Sequence, residues 1–116
     1  MTRKDLLTGE VFMPQRINQV FANSFNRIAY HNQKANELRR RISYITKPLL
    51  TNVRICNDLM KNKREELFHK QFLMGKGFSF KVHNHVEEYQ GKMHYAVFQF
   101  IIVILENDLI KIVRND

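Results

Sequence analysis

"MHYAVFQFIIVIL", residues 93–105, decides how the second half of this chain is read. Its side chains alternate between two sets, Phe98, Phe100, Ile102 and Ile104 on one side and Tyr95, Val97, Ile101 and Val103 on the other. A strand apolar on both faces belongs in the middle of a sheet, covered above and below. The stretch is therefore expected to form one long central strand. Downstream, "END" (Glu106 to Asp108) predicts a tight turn and "LIKIV" a last strand. Upstream, "EEYQGK" predicts a turn, and Phe78, Phe80 and Val82 alternate with Ser79, Lys81 and His83 as in a half-buried strand. Residues 77–115 are thus expected to form a three-stranded antiparallel β-meander.

Before Gly77 the apolar period is that of a helix. Residues 1–22 read as an irregular N-terminal clasp, punctuated by Gly9 and Pro14 and anchored by Val11, Phe12, Val20 and Phe21. Asn23 or Ser24 suits an N-cap. Ile28, Ala35, Leu38, Ile42 and Ile45 then form one stripe, and Ile28-Ala35-Ile42-Leu49 recurs every seven residues. Such a face suits a neighbouring helix or a second copy of itself. Pro48 predicts a break and a second helix with Leu49, Val53, Cys56 and Met60 inside. Asn62 with Glu65 predicts a capping box for a third helix ending at Gly75 or Gly77. The expected architecture is α+β: a single domain, 1–116, with a basic helical part at 23–75 followed by the small sheet. Three helices and three strands leave part of the sheet uncovered, and a homodimer would cover it.

The chain has 116 residues, enough for one core. Cys56 is the one cysteine, so no intramolecular disulfide or cysteine cage for zinc can form. The "MTRKDLLTGE" start has no apolar signal region, and "IIVIL" (101–105) falls far short of the ~20 residues that cross a bilayer. A cytoplasmic protein without cofactor and away from membranes is expected. The net charge is +8, and residues 1–70 hold all of the excess, with 14 Lys/Arg against 6 Asp/Glu. Segregated charge of this kind points to a polyanion or an acidic protein face.

The cations define the candidate site. Arg39, Arg40 and Arg41 are consecutive, so at about 100° per residue they fan over about 200° of helix. Arg40 points away from the apolar stripe, and Arg39 and Arg41 flank it. Lys34 and Lys47 lie on the same helical stretch, and Lys61, Lys63 and Arg64 cluster after it. The planar Arg fork donates two parallel hydrogen bonds to phosphate. Contacts of that kind give affinity without sequence choice. No exposed aromatic platform for reading single-stranded bases is evident.

"TGEVFMPQRINQVFANSFNR" (8–27) carries the residues Gly9, Phe12, Pro14, Arg16, Phe21 and Arg27. In this frame it resembles a small bacterial zinc ribbon. The ribbon's four ligand positions fall on Asp5, Thr8, Ala22 and Asn26, none a cysteine, so the resemblance implies a turn and Phe anchors held by packing instead of metal. It also implies Arg16 and Arg27 as nucleic-acid contacts. With "TGEVFMP" (8–14), "FHKQFLMGKGF" (68–78) and "IKIV" (110–113), the whole chain resembles small proteins of bacteria and their phages, a resemblance that implies no activity.

Catalytic constellations are weak. His83, Asn84 and His85 do not match the dispersed HNH nuclease pattern, because a strand follows them. His83 and His85 are expected on one strand face with His94 across the turn, a trio that suits zinc or acid–base work, although surface histidines are the commoner outcome. His31 falls on the helical stripe, His69 lies beside Phe68, and Glu87, Glu88, Glu106 and Asp108 sit in turns. The reading favoured is a non-enzymatic binder of nucleic acid, RNA before DNA, or of a nucleoprotein. An alternative is a phage-type inhibitor of an RNA-guided nuclease (an anti-CRISPR protein) acting by protein contact. A histidine-dependent nuclease ranks third.

Overall fold

Residues 93–105 do not form one strand but two, folded back on each other. In a computed structural model describing all 116 residues, β5 spans Lys92–Val97, β6 spans Phe100–Ile104, and Val97 pairs with Phe100. Phe98 and Gln99 make the turn, with Phe98 at φ 55°. That conformation is costly for a bulky residue, and sequence reading has no reason to place it there. Neighbours hold it: the Phe98 N–H donates to Asn84 Oδ1 at 2.8 Å, and the Asn115 N–H donates to the Gln99 carbonyl at 2.7 Å. The expected central strand is thus a hairpin; β6 keeps the apolar two-sidedness read from the whole, whereas β5 carries Lys92 and His94 on one face.

The rest of the sheet departs from a three-stranded meander in the same direction. β4 is His85–Tyr89, joined to β5 by Gln90 and Gly91, both at positive φ as a two-residue hairpin turn needs. The turn expected across 87–92 is therefore only two residues long. β7 is Leu109–Arg114, after a turn that includes Asn107 and Asp108. A fifth strand, β3 (Glu65–His69), pairs antiparallel with β7, giving the order β3-β7-β6-β5-β4. A further two-residue pair, β1 (Arg3–Lys4) with β2 (Val11–Phe12), lies in the clasp.

The predicted helices also change. A single α1 covers Ser24–Leu59, running through Pro48. Pro48 removes one helical N–H, but Tyr44, whose carbonyl loses that partner, is exposed. No third helix starts at Asn62, which sits at φ 63°. "EELFH" has no two-residue apolar period, Leu67 and Phe68 being adjacent, yet the free edge of β7 takes it as a strand in which Glu66 and Phe68 are half-buried and Glu65, Leu67 and His69 exposed. A short α2, Lys70–Gly75, follows.

The strand expected at 78–82 does not form either. Asn52, fully buried on α1, accepts the Ser79 N–H at 2.9 Å and donates Nδ2 to the Ser79 carbonyl at 2.8 Å. The backbone groups that a strand would spend on a ladder are spent on this side chain. Phe78 is thereby fixed in the core.

Contacts divide the chain into two compact units, Met1–Ser43 and Tyr44–Asp116. In the second, Ile55, Cys56 and Met60 of α1 pack with Leu73 and Phe78 against Val97, Phe100, Ile102, Ile110 and Ile112 of one sheet face. The other face needs no helix, because the sheet curls over it. Ala96, Ile101 and Val103 fill its hollow, and outermost strands meet across it: Tyr89 Oη donates to Glu65 Oε2 at 3.2 Å. Lys111 lies between them, 3.3 Å from Glu65 Oε2 and over the Tyr89 ring. Tyr89 and Glu65 hold its ammonium above the ordinary lysine pKa against the opposing effect of burial. On this side the sheet itself thus covers Ala96, Ile101 and Val103.

Burial pushes the Cys56 thiol up to about 12. The thiolate is the nucleophile, so labelling at neutral pH is expected only when the core opens. A thiol reagent should modify Cys56 at a rate that follows urea-induced unfolding; rapid stoichiometric labelling of the native protein would contradict this packing.

In the first unit the clasp closes on one carboxylate. Asp5 is buried and accepts four N–H groups: Leu7 at 2.8 Å, Thr8 at 3.0 Å, Ala22 at 2.6 Å and Asn26 Nδ2 at 3.0 Å. Thr8, Ala22 and Asn26 are therefore gathered around the Asp5 carboxylate. Burial raises the Asp5 pKa, but the Ala22, Thr8, Asn26 and Leu7 donors outweigh it and hold the carboxyl well below the usual range. A lowered folded value means that this contribution is complete above the unfolded Asp pKa of about 3.9 and is lost as pH falls from there through the folded value. Asp5→Asn should speed hydrogen exchange at the Leu7, Thr8 and Ala22 amides by roughly tenfold or more, since hydrogen bonds to a charged group are the strong kind. Exchange rates equal to wild type would show that the carboxylate does not hold the clasp.

Candidate nucleic-acid interface

α1 starts beside the clasp. Asn23 Oδ1 accepts the Asn26 N–H at 2.8 Å, the expected N-cap. Phe21 is buried against Tyr30 and His31, with ring centroids 5.2 and 5.8 Å away. Gln19 ties the loop: its Oε1 accepts the Gln15 N–H at 2.8 Å, its Nε2 donates to the Phe21 carbonyl at 2.7 Å, and its carbonyl accepts from Arg3 Nη1 at 2.8 Å. These bonds hold residues 13–24 as an open bowl of about 480 Å³. Arg16 and Arg27 both line it, together with Gln15, Asn18 and Asn23. Neither arginine has a carboxylate partner within 4 Å.

From Arg27 the cations continue along the helix. Arg27, Lys34 and Arg41 are seven residues apart, so they lie in one row rising about 10.5 Å per step and about 21 Å in all. All three are exposed. Lys34 touches Glu37 at 3.8 Å, an exposed pair of little net value that a phosphate can displace. Arg39 donates to Asn36 Oδ1 at 2.8 Å, and Arg40 lies about 100° round the helix from Arg41, with which it lines a shallow groove beside Glu37. The first unit carries eight Lys/Arg against three Asp/Glu, net +5.

The remaining predicted cations belong to the second unit and are differently occupied. Lys47 and Lys61 are exposed, Lys63 pairs with Glu66 at 3.2 Å, and Arg64 Nη1 donates to the Asp116 carbonyl at 2.7 Å. The structure thus brings Arg16 and Arg27 to one bowl and puts Arg27, Lys34 and Arg41 in one row, but it spreads Arg39, Arg40 and Arg41 as the helical turn requires. The amide residues of the bowl were not anticipated, and neither was the row. The row is readable as a seven-residue recurrence of cations beside the seven-residue recurrence of Ile28, Ala35 and Ile42.

The histidines do not assemble. His83 lies outside β4 and stacks on Tyr95, centroids 4.1 Å apart. Tyr95 and His94 are successive residues of β5, so they face opposite sides. His85 instead pairs with Glu87 at 3.0 Å, and His94 packs near Tyr89. The expectation that His83 and His85 share a strand face is corrected, because the strand begins only at His85. No three His, Cys, Asp or Glu side chains converge as metal ligands. No helix is long and apolar enough to cross a membrane.

No family model, curated protein or solved structure matches the chain.

Proposed function

We propose that the protein is a non-enzymatic binder of nucleic-acid backbone, with RNA the favoured ligand, and that its first unit carries the affinity. One observation carries the reading: Arg16 and Arg27, free of carboxylates, line one bowl, and Arg27 continues into the exposed row with Lys34 and Arg41. A row about 21 Å long can touch several phosphates of one strand. The bowl offers amides for sugar or phosphate oxygens, and its one aromatic residue, Phe21, is buried, which favours contact without sequence choice.

Anisotropy of a labelled generic RNA, titrated with the full chain at several salt concentrations, tests this. Log affinity should fall linearly with log salt, and the RNA should be recovered uncut. Absence of binding at about 50 mM salt, where backbone contacts are strong, would sink the proposal. Cleavage of the RNA at substoichiometric protein would overturn its non-enzymatic part. The His83/His85/His94→Ala variant should bind as wild type, because the three rings share no site; a tenfold loss would reassign the interface to the sheet.

A further inference from the structure

Beside the cation row, α1 leaves an aliphatic seam uncovered. In the first unit Ile28, Leu38 and Ile42 are 54%, 55% and 40% exposed, with the exposed His31 and the half-buried Ala35 between them. These positions recur at three-, four- and seven-residue steps, the spacing that seats a second helix by interlocking side chains. A phosphate backbone has no use for them.

The flanks say what kind of helix fits. One flank is the Arg27–Lys34–Arg41 row, and Arg39 lies on the other; no acidic residue lies beside the seam on either side. A second copy is a poor occupant. Antiparallel, with seams aligned, it sets the cation row against itself. Parallel, it sets Lys34 against Arg39 and centres His31 in the seam. Both arrangements place like charges where paired coiled-coil helices normally place opposite ones. We infer that this seam docks an acidic amphipathic helix of a protein partner, about four turns long, whose apolar stripe meets Ile28, Leu38 and Ile42 and whose flanking carboxylates meet the cation row. The inference goes beyond the RNA reading and does not rest on it: it needs the aliphatic seam, which the RNA reading does not use.

The probe is a synthetic three-heptad peptide with Leu at both seam positions and Glu at the flanks; the control carries Lys at the flanks. Each is titrated against the full-length wild type and against Leu38→Ser/Ile42→Ser, a double change at exposed positions whose folding is checked by helical circular dichroism. The Glu peptide should bind wild type, the Lys peptide should not, and the double variant should lose at least tenfold in peptide affinity while binding RNA as before. Failure of the Glu peptide to bind, equal binding of the two peptides, or an unchanged affinity in the double variant would each overturn the inference. So would wild-type self-association in sedimentation that the double variant abolishes, because the occupant would then be a second copy. Loss of RNA binding by wild type with peptide binding intact would remove the RNA reading alone.

Discussion

Replacing Asn52 by leucine is expected to destabilise the protein by about 2–4 kcal/mol, although it exchanges a buried polar side chain for an apolar one of similar size. Asn52 is fully buried, and its amide satisfies both backbone groups of Ser79, at 2.9 and 2.8 Å. Leucine leaves a donor and an acceptor without partners in a half-buried loop, and each unsatisfied buried group costs about 1–3 kcal/mol. It also frees Phe78, which that loop seats in the core. Asn52→Asp separates the two contributions. An aspartate can still accept from the Ser79 N–H, but it turns a second oxygen toward the Ser79 carbonyl and buries a charge. It should be at least as damaging as leucine. Urea unfolding followed by circular dichroism measures both. An Asn52→Leu midpoint equal to wild type would mean that the amide bridge contributes nothing.

The same residue shows why part of the fold was hidden in the sequence. Phe78, Phe80 and Val82 alternate as a strand should, and nothing local says otherwise. The competing claim on Ser79 comes from 27 positions earlier in the chain. The hairpin within 93–105 was hidden for a similar reason. Its turn residues, Phe98 and Gln99, lack turn chemistry of their own and are held by Asn84 and Asn115. Pro48 is the opposite case: a break signal in the sequence is overridden, because the freed carbonyl belongs to an exposed residue. Where the signal and its partners are adjacent, the reading held: Asn23 caps α1, Glu106–Asp108 turns the chain, and "LIKIV" lies within the last strand.

The candidate site divides along the same line. Exposure of the cations was legible, since Lys and Arg are seldom buried without a partner. Which of them act together was not, because that depends on helix phase and on the fold of the clasp. Arg39, Arg40 and Arg41 are neighbours in sequence and diverge on the helix. Arg27, Lys34 and Arg41 are distant in sequence and align. Arg16 joins Arg27 only through the bowl that Gln19 holds open.

Alignment predicts a specific ranking of variants in RNA binding. Arg27→Ala/Lys34→Ala/Arg41→Ala should lower affinity for a generic single-stranded RNA about 100-fold at about 0.1 M salt. Each phosphate contact on a single strand contributes about 0.7 to the slope of log affinity against log salt, so losing three should flatten it by about 2. Arg39→Ala/Arg40→Ala/Arg41→Ala removes the same charge but only one member of the row, and its slope should flatten by less than 1. Lys76→Ala/Lys81→Ala/Lys92→Ala, which matches the charge change from exposed positions of the second unit, should leave the slope unchanged. Net charge alone would make all three variants equal, because each loses three cations. Equal slopes would therefore discard the row in favour of diffuse attraction. A steeper loss in the Arg39/Arg40/Arg41 variant than in the row variant would place the strand over Arg39 and Arg40 and not along the row.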